Sequence, residues 1–500
     1  MFSRSLNFLA FLSTLAALTL PGKLGAQQQQ GQDATPRRYK LIDLGTFGGP
    51  NSFVNGPGTQ DLSIMGTYVG EAETDIPDPY APTCQDPDCL VQYTQIWRDG
   101  RVLKLDGLPG ANISSFATWV SANGHFISGV SDNGVHDPLT GAETETRAVI
   151  WTRDGHVYDL GTLPGGTESF GFAVNSFGQV IAGSNNTVND PYSMFGFLFG
   201  WTTQTRTFLW QNGHKEDIGT LGGPDTLSLT INELGQITGQ SYTNSTANSD
   251  NGPGCPPSVP TQDPFFWERG KMTDIGSLGG TCGAPNRLNN RGQVVGVSYL
   301  ADNQTPHPFY WDRRGLVDIG TLGGPTGEAL DISDSGLAVG TADLADGTHH
   351  AFVWQDGVMT DVGVVPGDSC TNGRASNSRG QAVGTSTDCM GNVKHMFLWQ
   401  NGSIYDLTAL ILPGSDLQVF EAWDMNDFGE IAAIGQLPSG DQHAVLLIPA
   451  NAEEIAAADA LNASQPTPKA VHAFIRSSES SPFAGRNRML NMYQRTHQLP

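Results

Sequence analysis

Short apolar runs alternate with Gly-containing turns along almost the whole chain, and the runs follow a fixed order. The first kind ends in Asn or Ser, turns tightly and resumes, as in "AVNSFGQVIAGS", "TINELGQITGQS", "RLNNRGQVVGVS" and "ASNSRGQAVGTS". The second ends in an aromatic: "AVIW", "TFLW", "PFYW", "AFVW", "MFLW". The third comes after a polar turn, as in "WQNGHKEDIG", and closes on a Gly-rich stretch such as "DIGTLGGP", which stands at 217–224 and again at 318–325. Runs this short, rich in β-branched and aromatic residues, predict strands. The N-x-x-G and W-x-x-G turns supply Gly where a tight hairpin needs positive φ. Each unit therefore predicts four antiparallel strands.

The third run starts at Asp43, Leu105, Asp159, Asp217, Asp274, Asp318, Asp361 and Asp406, at spacings of 43 to 62 residues. A tandem four-stranded unit of this size predicts a β-propeller. A β-solenoid uses shorter coils and has no need of two hairpins per repeat. Near the N-terminus "RYKLIDLG" is a fourth strand without its unit, and "AVLLIP" at 444–449 is a third strand without a fourth. The expected fold is all-β: a propeller of eight four-stranded antiparallel blades over residues 38–449, with seven blades as the alternative. The N-terminal strand would complete the last blade, leaving no sheet edge open where the ring closes.

The aromatic runs also read "HAFVW" at 350–354, "HPFYW" at 307–311, "HMFLW" at 395–399 and "HAVLL" at 443–447. Together with the D-[IL]-G-T-L-G-G and N-x-x-G-Q runs, they make the chain resemble the HAF-repeat family of bacterial extracellular proteins. The resemblance covers nearly the whole mature chain. It implies export and a repeat fold, and it assigns no biochemical activity. Departures are Lys104, where the repeat has Asp, and an extra "FGFLFGW" at 195–201.

Residues 1–26 carry Arg4, an apolar run from Leu6 to Leu20 and a Pro21-Gly22 break before Leu24-Gly25-Ala26. That pattern predicts a secretory signal, too short to span a membrane. Next comes a polar linker at 27–37, and a C-terminal tail from 450 to 500 opens with a possible short helix and is otherwise expected to be disordered. The expected location is secreted, extracellular or periplasmic, with no membrane span and a monomeric chain. Gly at 62 and Pro at 30 of 500 residues suit a turn-dense β protein, and a formal charge of −24 excludes a nucleic-acid partner. Six Cys fit an oxidising compartment. Cys84 with Cys89 and Cys370 with Cys389 are the local pairs, leaving Cys255 with Cys282, one of fifteen connectivities.

A residue repeated once per blade cannot serve one substrate. Asp43, Asp159, Asp217, Asp274, Asp318, Asp361 and Asp406 are therefore expected to hold backbone N–H groups of the adjoining turn. The His residues opening the aromatic run, His307, His350, His395 and His443, sit on third strands, too far from the axis to share a metal. No metal site is expected from them. The insert 71–89 carries Glu71, Glu73, Asp75, Asp78, Asp86 and Asp88. It offers calcium a site, but lacks EF-hand spacing and reads more plainly as a solvated acidic loop.

Binding chemistry is expected where the repeat is broken. All long inserts, at 71–93, 132–147, 185–199 and 242–263, and all six Cys fall on one face of the ring, opposite the tight turns. At the channel mouth, near the start of each innermost strand, the exceptional residues are Trp119, Arg287, Asp331, Arg374, Trp423 and Asp424. Carboxylates, guanidinium groups and Trp faces suit a sugar. The leading reading is a binding module for a glycan or protein ligand on the long-loop face. The alternatives are an extracellular carbohydrate-active enzyme, a lyase or glycosidase, at the channel mouth, and a structural cell-envelope component. No catalytic residue and no cofactor are assigned.

Overall fold

A computed structural model of the chain describes residues 36–464 and 475–476, except 57–58, 82–83, 85–87, 111, 197–200 and 250–257. The signal stretch 1–26, Cys255 and most of the tail lie outside the described residues. The described chain is all-β apart from short helices, and its strands form seven sheets. In chain order they span 48–105, 115–159, 169–217, 226–318, 323–361, 370–406 and 418–449. Sheet 4 has eight strands, made of two antiparallel four-stranded runs joined by one parallel bridge, Gln262 to Cys282.

The repeated sequence explains the repeated sheet. In five of the third strands a Phe (Phe208, Phe265, Phe309, Phe352 and Phe397) is fully buried. Each such ring contributes roughly 1.5–3 kcal/mol of burial. Tight turns join strands one to two and three to four, so their ends of the sheets form a turn face. The remaining connections form the opposite, connection face. At the first turn the Gly takes positive φ, as Gly235 does at 71°.

Neighbouring turns are laced together by the Asn of N-x-x-G. Asn175 Nδ2 donates to Asn232 O at 3.1 Å, Asn232 Nδ2 to Asn289 O at 2.9 Å, and Asn289 Nδ2 to Ser333 O at 2.9 Å. Asn377 Nδ2 reaches Asn426 O at 3.0 Å, and Asn426 Nδ2 reaches Ser63 O, also at 3.0 Å. The last of these bonds runs from sheet 7 to sheet 1. The N-terminal strand Tyr39–Asp43 pairs antiparallel with Gln442–Pro449, setting Tyr39 against Pro449 and Asp43 against Val445.

The tail opens with a 13-residue helix, Ala452–Ser464, where a short helix was expected. A capping box explains it: Asn451 Oδ1 accepts from the N–H groups of Glu453 and Glu454, while Glu454 Oε2 accepts Asn451 N–H. Its side chains reach back to the N-terminal strand through Arg38–Asp459 at 2.6 Å and Lys40–Glu454 at 3.1 Å. Some innermost strands also begin earlier than expected. Gly279 pairs with Leu300 and Gly323 with Leu344, so part of the Gly-rich stretch is itself strand.

Candidate functional site

Seven of the innermost strands shift register at one repeat position: Ala117/Trp119, Gly171/Ala173, Ser228/Thr230, Pro285/Arg287, Ala329/Asp331, Gly373/Ala375 and Ala422/Asp424. The extra residue bends the strand and re-aims its side chains. A Gly on the second strand permits this close approach. A Cβ on Gly340 would overlap Glu328 O and crowd Phe352, and one on Gly384 would overlap Asn372 O. The repeated Gly of "GQVVG" is the sequence signal for these bulges, and hairpin patterns alone do not register it.

All six expected channel residues sit at these bulges. Arg374 and Trp423 are the extra residues; Trp119, Arg287, Asp331 and Asp424 come directly after one. They therefore lie in the second halves of their strands, toward the turn face, and not near the strand starts. In each of these strands the extra residue stands two before the last, beside the turn, which places all six toward the turn face.

Arg287 is the hub. Its Nε lies 3.2 Å from Asp331 Oδ1, each side chain 14% exposed, and its guanidinium carbon stands 4.5 Å from the Trp119 ring centre. Its two terminal nitrogens donate to Thr59 O and Gln60 Oε1, both at 3.2 Å. Asp331 Oδ2 accepts from Ser376 N–H at 2.7 Å. One guanidinium thus links elements of sheets 1, 2, 4 and 5. Asp424 Oδ2 accepts the N–H groups of Asp61 and Leu62, both at 2.9 Å. Burial pushes Asp424 up to about 6 although Arg287 opposes the shift, and it raises Asp61 well above the usual carboxylate range, reinforced by the charge of Asp424.

Arg374 and Trp423 form a second, smaller arrangement. The guanidinium carbon lies 4.6 Å from the Trp423 ring centre, and Nη2 is 3.4 Å from Glu421 Oε1. The geometry of both clusters is that of cations held between an aromatic face and a carboxylate of a neighbouring sheet.

The connection face is built differently. Five of the seven repeat Asp carboxylates there accept the N–H of the Gly two residues on and also face a third-strand side chain; Asp318, for example, holds Gly320 N–H at 2.8 Å and His307 Nδ1 at 2.9 Å. Asp43 does the same with Gly45 and His443 across the N-terminal pairing, at 2.8 Å in both cases. Asp159 and Asp217 hold Gly161 and Gly219 and pair with Arg147 and Arg206, and Asp361 holds Gly363 and pairs with His350. Asp274 holds Gly276 N–H at 2.7 Å. Asp406 instead caps the short helix Leu407–Leu410, and His395 turns to Asp368 at 2.9 Å.

The inserts on this face are pinned. Disulfides join Cys84 to Cys89 and Cys370 to Cys389; Cys282 is also disulfide-bonded, and its expected partner Cys255 lies outside the described residues. In the insert of sheet 3, Phe195 packs edge-on against Trp201 at 4.8 Å, and Trp201 Nε1 donates to Glu168. Asp225 accepts Met194 N–H at 2.6 Å and Thr205 N–H at 2.9 Å. Burial, aided by the charge of Asp137, raises Glu168 to about 8; burial, aided by that of Asp190, raises Asp225 to about 8.

Within the acidic insert Glu71, Glu73 and Asp78 are buried. Glu73 accepts Asn51 N–H at 2.8 Å, and Asp78 accepts Ser114 Oγ–H at 2.9 Å. Asp75 and Asp88 are exposed, and Asp86 lies outside the described residues. Among the described residues no group of three or more His, Cys, Asp or Glu side chains could hold a metal ion.

Charge separates the two faces. Exposed carboxylates stand along the connections at Asp75, Asp88, Glu143, Asp302, Asp346 and Asp416. Cations at that end are engaged: Lys104 with Asp106 at 2.8 Å, Arg147 with Glu145 at 3.1 Å, Arg206 with Asp217 at 3.0 Å. The turn face mixes signs, with Arg101, Arg153, Arg269, Arg313 and Arg379 exposed beside Asp99, Asp154 and Asp356.

No protein-family model matches the chain, and no curated relative does. Among solved structures it is similar to a Pyrococcus horikoshii acylaminoacyl peptidase, at 10% identity and TM-score 0.42, over 79% of this chain and 59% of that one. It is also similar to a Trypanosoma rangeli sialidase, at 9% identity and TM-score 0.33, over 85% and 60%. TolB from Acinetobacter baumannii matches at 12% identity and TM-score 0.29, over 65% and 81%. The chain thus spans about 60% of the peptidase and sialidase chains. At these scores the likenesses carry no argument about function.

Proposed function

We propose that this chain is an exported eight-bladed β-propeller of the HAF-repeat type, closed by its N-terminal strand, and that it binds a cationic partner on its connection face. Ring closure is supported by the Asp43–His443 pair, which repeats Asp318–His307, and by the bonds from Asn426 and Asp424 to sheet 1. Eight blades result if sheet 4 counts as two, since a single bridge joins its halves. Export is supported by the two disulfides; among the described residues no helix is long and apolar enough to cross a membrane.

The observation that carries the binding reading is the exposed, unbalanced acid along the connections, on the face with the variable loops. Catalysis at the channel mouth is disfavoured, because Arg287, Asp331 and Arg374 are already bonded across neighbouring sheets. A general acid or base needs reach to a substrate proton.

The test is binding of the purified mature chain to an Arg-rich peptide, an acidic peptide and a neutral glycan array, with and without calcium. The expected result is selective binding of the Arg-rich peptide, weakening steeply between low and high salt. Glycan binding with no peptide preference would overturn the cationic-partner reading.

A further inference from the structure

The turn face carries one place where the charge pattern of the repeat is inverted. In the later half of sheet 4 the second hairpin reads W-D-R-R-G, and both arginines meet carboxylates. Arg313 Nη2 lies 2.7 Å from Glu268 Oε2 of the preceding unit, and Arg314 Nη2 lies 2.6 Å from Asp312 Oδ2. The same hairpin of sheet 2 reads W-T-R-D-G, with Arg153 in the place of Arg313 and Thr152 in that of Asp312. In the unit before it, Arg98 takes the place of Glu268. Two like charges therefore stand where sheet 4 has an ion pair. Burial, and after it the charge of Arg153, holds Arg98 below the usual arginine range.

Among the described residues neither arginine has a carboxylate within ion-pair distance. Arg98 donates to Arg153 O at 3.0 Å and to Gly124 O at 2.9 Å, so it ties the two turns of sheet 2 together; its Nε is buried and meets no acceptor. Arg153 Nη1 donates to His125 Nε2 at 2.8 Å. A guanidinium only donates, so an imidazole nitrogen serves here as the acceptor that a carboxylate supplies in sheet 4. His125 is released for this role by a second departure from the repeat. In sheets 3, 4, 6 and 7 the turn Asn is locked to the residue four on, as Asn175 is to Gln179 and Asn232 to Gln236, both at 2.7 Å. In sheet 2 those positions are Ser121 and His125.

Between the two turns lies a cleft of about 530 Å³, lined by His125, Phe126, Thr152, Arg153 and Asp154. Its size suits a small molecule. Phe126 packs beside Gly178, where a Cβ would stand 3.4 Å from the ring, and Phe177 of the same turn is 65% exposed. An apolar wall and an unbalanced cation thus share one cleft. We propose that this cleft binds a small aromatic carboxylate, its anionic group on Arg153 in place of His125 and its ring against Phe126. A carboxylate takes a guanidinium through two parallel hydrogen bonds, which one imidazole nitrogen cannot supply. Asp154 also lines the cleft, accepting from Thr152 Oγ1 at 2.5 Å and lying 3.4 Å from His156 Nε2. Its charge disfavours a dianion such as phosphate. The site lies on the turn face and does not depend on the cationic-partner reading of the connection face.

The test is titration of the purified mature chain, followed by nuclear magnetic resonance, with phenylacetate, phenylethanol and inorganic phosphate as probes. Phenylacetate should bind at least about tenfold more tightly than either of the others. Arg153→Gln should lower its affinity about tenfold, whereas Arg269→Gln, at an exposed turn of sheet 4, should stay within about twofold. Asp154→Asn should strengthen phosphate binding and narrow the preference for phenylacetate. Equal binding of the acid and the alcohol would overturn the proposal, since the arginine would then have no part in it. Equal losses from Arg153→Gln and Arg269→Gln, in chains that melt alike, would overturn it too. So would phosphate binding to the unaltered chain as tightly as phenylacetate, or a preference that Asp154→Asn leaves unchanged.

Discussion

The two faces of this molecule are made by the same repeat and differ in almost every property. The turn face is uniform: short hairpins, Gly at positive φ, an Asn from one sheet donating to a backbone carbonyl of the next, and charges of both signs. The connection face is irregular: long inserts, disulfides, buried acids under the loops and exposed acid above them. Each kind of constraint thus has its own place. Bonds that must recur in every unit gather at the turns and inner bulges, and residues that need not recur gather at the connections.

The largest effect should come from the turn side of the interior. Arg287→Ala leaves Asp331 in a partly buried site without its ion pair and strips Trp119 of its cation. It should cost about 3–5 kcal/mol in urea unfolding. A loss under about 1 kcal/mol would mean that Arg287 does not join the sheets energetically.

Next in size is the connection side. Replacing Cys370 and Cys389 with Ser should cost about 2–4 kcal/mol, because the disulfide closes a loop of 19 residues. Binding on the connection face should weaken with it, whereas Arg287→Ala should affect stability more than affinity. Asn232→Ala removes one link of the turn lacing and should cost about 1–2 kcal/mol. The same change at an exposed turn residue such as Leu234 should cost almost nothing.

The last comparison is of pH dependence, and it belongs to the connection face. Asp225 and Glu168, both raised to about 8, hold protons in the folded chain where the unfolded chain has lost them. Their stabilisation is complete below the unfolded values near ~4 and is lost as pH rises through about 8. The melting temperature should therefore fall as pH rises from 5 to 9, with no further loss from these two groups well above 8. Asp225→Asn should flatten that slope; an unchanged slope would show that Asp225 does not titrate in this range.

Much of the fold was legible in the sequence because the repeat fixes turn chemistry and strand number together. N-x-x-G and W-x-x-G mark hairpins, and the Phe of five third strands marks a buried row. The bulges were not legible from hairpin patterns, since a register shift is a property of two strands, although the small residue facing it is visible. The site was legible only as a set of exceptions. Trp119, Arg287, Asp331, Arg374, Trp423 and Asp424 stand out as non-repeating, but their partners do not. Arg287 meets Thr59 and Gln60, 228 and 227 residues away, in a segment that breaks the repeat of sheet 1. No local pattern encodes such a contact. The helix after Pro449 is legible from Asn451 and Glu454.

If the connection face, and not the turn face, takes a cationic partner, two charge reversals of equal size must act unequally on affinity for an Arg-rich peptide. One pair is Asp346→Lys with Asp416→Lys on the connections, and the other is Asp154→Lys with Asp334→Lys at the turns. The connection pair should lose at least about tenfold in affinity, and the turn pair should stay within about twofold. Equal losses from the two pairs, in chains that melt alike, would show that the connection face has no special claim on the partner.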